Sequence, residues 1–132
     1  MTPGCAARTM REVGARILIV DDYARFRSTA RALLHGGGFE VVGEAADGAS
    51  ALEAAAALRP GVVLLDVQLP DMDGFEVARR LARYDHAPAV ILVSSRDASD
   101  FPVRLAGASV HGFISKSDLS QARLADLLQV TP

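Results

Sequence analysis

Short apolar runs that end at polar residues recur along the chain, and helical patterns separate them. The clearest run occupies residues 62–65 and leads directly into Asp66. An uninterrupted apolar run of this length is typical of a strand that is buried on both faces of a sheet. A second run, residues 17–20, leads into Asp21 and Asp22. Both patterns predict buried strands whose carboxyl ends carry acidic side chains.

The remaining pattern predicts five strands and five helices in alternation. The strands are predicted at residues 16–20, 40–45, 62–65, 90–93 and 112–115. The helices are predicted to open near Asp21-Asp22, Asp47, Gly74 and Asp118, and the fourth helix is predicted to start late and weakly after Ser95. The first three helices are predicted to end near Gly36-Gly37-Gly38, Pro60-Gly61 and Tyr84. Strand 40–45 carries two glutamates and a glycine, so it is predicted to lie at the sheet edge.

Several local details follow from the same spacing rules. Acidic caps are predicted from Asp21 or Asp22, from Asp47, from Asp73 with Glu76 and from Asp118 with Gln121. The inward helix faces are predicted to carry Phe26, Ala30, Leu33 and Leu34; Ala49, Leu52 and Ala56; Val77, Ala78 and Leu81; and Leu124, Leu127 and Leu128. The helix after residue 95 has a small apolar face and is expected to be the least stable.

Five alternations of strand and helix in 132 residues predict one α/β domain, a parallel sheet with helices on both faces. We expect the domain at residues 15–130. Residues 1–14 lack apolar periodicity and are expected to form a flexible extension.

Composition narrows the function classes. A formal net charge of −2 gives no electrostatic footprint for direct nucleic-acid binding. No segment approaches the roughly 18 apolar residues that a membrane span needs. The single cysteine, Cys5, cannot form an internal disulfide, so a reducing, cytoplasmic compartment is the simpler expectation.

The acidic strand ends predict a metal site. Carboxyl ends of parallel strands lie at the same edge of a sheet, so Asp21, Asp22 and Asp66 are expected to meet there. Like charges that lie so close repel unless a cation lies among them. Oxygen ligands suit a hard divalent cation, Mg²⁺ first, with Mn²⁺ as its substitute.

Two further polar residues follow predicted strands. Ser94 comes directly after the fourth strand, and Lys116 comes directly after the fifth. With Asp21-Asp22 after the first strand and Asp66 after the third, the sequence resembles the receiver domain of two-component response regulators. The resemblance covers roughly residues 15–130. It implies a flavodoxin-like, doubly wound sheet with strand order 2-1-3-4-5.

The resemblance also implies roles for these residues. Asp66 would be the phosphoacceptor, Lys116 would place a positive charge on the phosphoryl oxygens, and Ser94 would donate a hydrogen bond to another of them. Asp22 would bind the cation directly, and Asp21 largely through water. The backbone carbonyl of Gln68 would complete the ligand set.

The implied output is a change of shape. The Ser94 hydroxyl would move towards the phosphate, and Phe113 stands where many members of the family carry a tyrosine that changes rotamer with it. The partners implied are a sensor histidine kinase or phosphotransfer protein and a downstream protein, and dimerisation is possible. The chain is expected to act as a stand-alone receiver. Its only catalysis would be its own phosphorylation from a phosphohistidine and slow dephosphorylation.

Each residue also has a plainer interpretation when it is taken alone. Asp21-Asp22 would be a helix cap, Asp66 a turn residue, Ser94 a loop hydroxyl and Lys116 a solvated lysine. Two other functions also remain open. One is a phosphorylation-independent interaction module on the same fold, and the other is a small flavin or nucleotide binder. The acidic loop after the first strand argues against the binder, because it would repel phosphate.

Overall fold

The computed structural model describes residues 15–36, 38–95 and 110–128. The predictions for residues 1–14, including Cys5, and for the helix after residue 95 lie outside these ranges. Within the described residues, no helix is both long enough and apolar enough to cross a membrane.

Five parallel strands form the sheet. They are β1 (Ala15–Val20), β2 (Phe39–Ala45), β3 (Val62–Asp66), β4 (Ala89–Ser94) and β5 (Gly112–Ser115). Their order is β2-β1-β3-β4-β5, and each neighbouring pair is parallel. The predicted strand order is therefore confirmed, and so is the position of β2 at an edge of the sheet.

Four α-helices are described: α1 (Ala24–Leu34), α2 (Gly48–Leu58), α3 (Gly74–Leu81) and the C-terminal helix α4 (Gln121–Leu128). A single 3₁₀ turn, Lys116–Asp118, lies between β5 and α4. Two hydrophobic cores lie on opposite faces of the sheet. The first core includes Ala30, Leu34, Leu124 and Leu128 from α1 and α4. The second includes Ala51, Ala55, Val77, Ala78 and Leu81 from α2 and α3. This arrangement confirms the prediction of helices on both faces.

The predicted start of α1 is wrong. The helix begins at Ala24, and Tyr23 occupies its N-cap position without a side-chain cap. Oδ1 of Asp21 instead accepts a hydrogen bond of 2.8 Å from the backbone N–H of Tyr23, which forms a turn before the helix. At the other end the prediction holds, because α1 stops at Leu34 and Gly36 adopts a positive φ of 83°. Leu33 was expected to face inward but is 43 % exposed.

Helix α2 is capped as predicted, and Leu52 packs against the core as predicted, but the alanines that it buries are different ones. Oδ1 of Asp47 accepts a hydrogen bond of 2.7 Å from the N–H of Ser50. The buried alanines are Ala51 and Ala55, whereas Ala49 and Ala56 are exposed. The helix is almost entirely alanine and leucine, so few polar residues mark its outer face, and periodicity alone could not orient it.

The last two helices differ from prediction mainly at their ends. Helix α3 stops at Leu81, three residues before Tyr84, although its predicted core residues are buried. The prediction that Asp118 and Gln121 cap α4 is wrong. Oγ of Ser120 accepts a hydrogen bond of 3.0 Å from the N–H of Arg123, because the 3₁₀ turn delays the start of the helix.

Candidate functional site

The buried polar residues of the described chain gather at one edge of the sheet. They are Asp21, Asp66 and Ser94, which lie at the carboxyl ends of β1, β3 and β4. Burying a polar or charged side chain costs free energy unless it gains a partner. Three such residues at neighbouring strand ends therefore indicate a site rather than a structural feature of the core.

Three carboxylates are close enough to share one cation. Asp21, Asp22 and Asp66 each offer an oxygen, and these oxygens all lie within 4.8 Å of one another. Oδ2 of Asp21 is buried and accepts no hydrogen bond of regular geometry. Asp22 is exposed, so solvent ions can reach the cluster. A set of ligands made only of carboxylate oxygens fits Mg²⁺ or Mn²⁺.

Lys116 supplies positive charge to the same cluster. Its Nζ lies 2.7 Å from Oδ2 of Asp21 and 3.5 Å from Oδ2 of Asp66. Burial disfavours the ammonium, but the two carboxylates outweigh that effect and raise the pKa of Lys116 above its ordinary value. Nζ also lies 4.6 Å from the ring centroid of Phe26 and 5.5 Å from that of Tyr23, within cation–π range. The lysine is thus held in place from several sides.

Asp66 is the carboxylate whose ionisation is most altered. Burial raises its pKa to about 6, and the charge of Asp21 adds to this effect. The N–H of Gln68, which donates a hydrogen bond of 3.2 Å to Oδ1, opposes the rise, as does the charge of Lys116. A cation bound beside Asp66 would therefore favour the ionised form of its carboxyl group.

The turn that carries Asp21 is fixed by a group that the sequence did not reveal. Nη1 of Arg27 donates a hydrogen bond of 2.6 Å to the backbone carbonyl of Asp21. The guanidinium also pairs with Glu44 at the end of β2 at 3.0 Å, and Arg31 pairs with the same carboxylate at 2.8 Å. The hydrogen bond from Arg31 is the main cause that lowers the pKa of Glu44. In the sequence Arg27 is one of several arginines on the polar side of the α1 pattern, and only the tertiary contact with β2 shows its role.

Gly74 lets α3 approach the end of β3. Its N–H donates a hydrogen bond of 2.6 Å to the carbonyl of Val67. A Cβ at this position would lie 2.4 Å from the carbonyl oxygen of Asp66. The sequence carried one signal of this role, since glycine at the first position of a helix is otherwise unfavourable. Asp73 caps the helix as predicted, accepting 2.9 Å from the N–H of Glu76. The Glu76 carboxylate, which was predicted to complete a capping box with Asp73, pairs with Arg79 and Arg80.

Ser94 and Phe113 lie on neighbouring strands and on one face of the sheet. Leu92 is paired with Phe113, and Ser94 is paired with Ser115. Because side chains alternate along a strand, Leu92 and Ser94 point to the same face. Phe113 packs against the core that contains Leu92. Ser94 and Phe113 therefore lie on the same face of two neighbouring strands.

The predicted ligand role of Gln68 is not tested by its position. Gln68 is exposed, and its backbone N–H contacts Asp66, so the ligand role of its carbonyl stays a prediction. The structure thus brings Asp21, Asp22, Asp66 and Lys116 into contact distance and places Ser94 at the adjoining strand end.

Comparison with known proteins identifies the family. Residues 17–129 match the response regulator receiver domain family. The chain is 36 % identical over 115 residues to the response regulator GacA of Pseudomonas viridiflava, which covers 86 % of this chain and 52 % of that protein. The chain spans about half the length of the curated relatives it matches.

Solved structures give the same result. The signal receiver domain of NarL from Mycobacterium tuberculosis superposes with a TM-score of 0.79 at 34 % identity, covering 89 % of this chain and 98 % of that one. CheY in the CheX–CheY–BeF₃–Mg²⁺ complex from Borrelia burgdorferi gives a TM-score of 0.70 at 26 % identity, with 86 % of each chain covered. The chain therefore belongs to the response regulator receiver domain family of two-component signalling.

Proposed function

We propose that this receiver accepts a phosphoryl group on Asp66 in a reaction that depends on Mg²⁺. The observation that carries the proposal is the position of the Lys116 ammonium, 2.7 Å from Asp21 and 3.5 Å from Asp66. A buried carboxylate beside a fixed ammonium and two further carboxylates has the parts that phosphoryl transfer needs, namely a nucleophile and neutralising charge. The donor would be a sensor histidine kinase or a phosphotransfer protein, in the cytoplasm.

The chemical step assigns one task to each side chain. An oxygen of Asp66 attacks the phosphorus of a phosphohistidine. The new O–P bond forms as the P–N bond breaks, and the leaving imidazole nitrogen keeps the electron pair. Lys116 offsets negative charge on the transferred group, and the Ser94 hydroxyl donates to one of its oxygens.

The cation would be held by Asp21, Asp22, Asp66 and the backbone carbonyl of Gln68. When bound, Mg²⁺ or Mn²⁺ supplies positive charge that favours the ionised carboxylate and the incoming phosphoryl oxygens. The oxygen-only donor set supports this role. Among the described residues, Lys116 is the only cation paired with these carboxylates. A bound metal would therefore share with Lys116 the neutralisation of their charge.

The output would be a phosphorylation-dependent surface for a downstream protein. The shared sheet face of Ser94 and Phe113 supports a path from the site towards β5. A hydroxyl drawn towards a phosphoryl group would vacate space on this face, and the ring of Phe113 could fill it. The surface named by the resemblance comprises the helix after β4, β5 and α4. That the receiver acts without an attached output domain stays a prediction.

The direct test is phosphorylation by a small donor with a P–N bond. The protein is incubated with phosphoramidate and Mg²⁺, and the phosphate adduct is located by mass spectrometry. Asp66→Asn should abolish the adduct. Asp85→Asn removes the same charge from an exposed turn after α3 and should leave it unchanged. An adduct that persists on Asp66→Asn would place the phosphoacceptor elsewhere.

Beryllofluoride tests the switch separately from the chemistry. Amide NMR shifts in the presence of Mg²⁺ should begin at Asp66, Ser94 and Lys116 and extend to Phe113. If a folded protein gives neither shifts nor an adduct, the proposal fails. A phosphorylation-independent interaction module would then be the better account.

A further inference from the structure

The segment between Asp66 and Gly74 is attached to a helix that lies outside the site. Oδ1 of Asp71 accepts a hydrogen bond of 2.7 Å from the N–H of Gly48, and Oδ2 accepts one of 2.9 Å from the N–H of Ala49. Each oxygen thus binds one of the first two amides of α2. These hydrogen bonds lower the pKa of Asp71, so the carboxylate stays ionised.

This attachment goes beyond what the helix itself requires. The first amides of a helix lack partners within it, and one N-cap side chain normally satisfies one of them. Asp47 already does so for Ser50 at 2.7 Å. Asp71 satisfies the two preceding amides, although it lies 23 residues further along the chain from Gly48. The start of α2 is therefore held by two carboxylates. One of them, that of Asp71, belongs to the loop between Asp66 and Gly74.

The residue after Asp71 strengthens the contact. A Cβ on Gly48 would lie 2.5 Å from Cγ of Met72, so the methionine packs directly against the glycine backbone. On its other side, the loop is closed by a bridge between Gln68 and Asp73. The loop is thus fixed to α2 at its middle and to itself at its ends.

We propose that Asp71 is a positioning residue for the cation site. By holding the loop against the start of α2, it keeps the backbone of Gln68 in place beside Asp66. Removing the attachment would leave the carboxylate cluster intact but would allow the loop to move, so the cation would bind less tightly. This inference rests on the proposed Mg²⁺ site. It also requires the converse, that Mg²⁺ binding orders the start of α2, because coupling between two sites is reciprocal.

The test compares two variants that each remove one cap from the same helix. Mg²⁺ is titrated into the protein and followed by the amide NMR shifts of Asp66 and Gln68. Asp71→Ala should weaken Mg²⁺ binding by about tenfold, as is typical when support for a metal ligand is lost. Asp47→Ala also removes a carboxylate from the start of α2 and should leave the Mg²⁺ affinity unchanged. Asp71→Asn retains one acceptor and should give an intermediate affinity.

Hydrogen exchange supplies a second measurement that does not depend on affinity. Mg²⁺ should slow amide exchange at Gly48 and Ala49 in the wild type, and this effect should disappear in Asp71→Ala.

The possible outcomes separate the inference from the proposed function. Equal Mg²⁺ affinity of Asp71→Ala and the wild type would overturn only the positioning role. An equal loss of affinity in Asp47→Ala would overturn it too, because helix stability would then explain the effect. Absence of Mg²⁺ binding to the wild type would overturn the proposed site itself.

Discussion

The ammonium of Lys116 lies closer to Asp21, at 2.7 Å, than to the proposed phosphoacceptor Asp66, at 3.5 Å. Without a metal, the lysine therefore serves first as counter-charge for a carboxylate that is fully buried. At rest it neutralises part of the acidic cluster, and under the proposed function it would contact the phosphoryl group after transfer.

Replacing Lys116 by methionine should destabilise the domain when no divalent cation is present. The change leaves buried carboxylates without their partner, and we expect the free energy of unfolding to fall by about 2 kcal/mol at neutral pH. Mg²⁺ should restore part of the loss, since it supplies the missing charge. Urea unfolding with and without Mg²⁺ measures both effects. A deficit that Mg²⁺ does not reduce would contradict a shared role for the lysine and the cation.

Mg²⁺ should stabilise the wild type and not Asp22→Asn. At a concentration about five times its Kd, a ligand that binds only the folded state adds about 1 kcal/mol. Asp22 is exposed, so its replacement should change stability without metal very little. Thermal unfolding across a Mg²⁺ series checks this, with Asp85→Asn as the matched loss of one exposed charge. Equal stabilisation of all three proteins would argue against Asp22 as a ligand.

The raised pKa of Asp66 predicts a specific pH dependence. Its folded-state pKa of about 6 exceeds the ordinary value of 3.8, so the folded protein holds the proton more tightly than the unfolded chain does. This carboxyl therefore lowers stability progressively as the pH rises through that interval. Asp66→Asn should be more stable than the wild type above pH 6, by about 1 to 2 kcal/mol after allowance for screening.

The measurement is the difference in unfolding free energy between Asp66→Asn and the wild type, without Mg²⁺, from pH 4 to 8. The difference should grow with pH and then level off. A difference that is independent of pH would show that the carboxyl titrates normally.

Gly74→Ala should be strongly destabilising, because the new Cβ would meet the carbonyl oxygen of Asp66 at 2.4 Å. Backbone on both sides cannot yield as a side chain can, and we expect a loss of about 2 to 3 kcal/mol. Gly112→Ala is the matched control, since its Cβ would meet side-chain ends and no backbone, those of Leu127 at 3.1 and 3.2 Å and that of Ile91 at 3.5 Å. Chemical denaturation of both variants tests the comparison, and similar losses would contradict it.

The ring of Phe26 should stabilise the Lys116 ammonium. Phe26→Leu keeps most of the apolar volume and removes the ring face that lies 4.6 Å from Nζ. A double-mutant cycle with Lys116→Met should give a coupling of about 0.5 to 1 kcal/mol. Tyr84→Phe offers a comparison, because its loss of a hydrogen bond to the Leu52 carbonyl should not couple to Lys116. A coupling free energy of zero between Phe26 and Lys116 would show that the ring stabilises the domain through packing alone and not through the ammonium.

The acidic cluster was predictable because local pattern and topology agree there. Apolar runs located the strands, and parallel strand ends necessarily meet at one edge, so Asp21, Asp22 and Asp66 could be placed together from sequence. The strand order itself came from the resemblance to receivers rather than from periodicity.

What was missed depends on contacts between distant parts of the chain. Arg27 and Asp71 look like ordinary surface charges until β2 and α2 are placed beside them. The buried alanines of α2 were predicted wrongly because a run of alanines carries almost no directional signal. The start of α1 was wrong because Asp21 forms a turn with Tyr23 instead of capping the helix.

The polar residues buried at the strand ends affect which variants a screen for stability would select. Asp21, Asp66 and Ser94 are the described polar side chains that the fold buries, and apolar or neutral substitutes would be easier to accommodate there. Many proteins can be stabilised by replacing the groups that perform their function. A screen of this chain for thermal stability alone would therefore favour variants in which these buried polar residues, including the proposed phosphoacceptor Asp66, are replaced. Any effort to stabilise the chain therefore needs a simultaneous measurement of the proposed phosphoryl transfer.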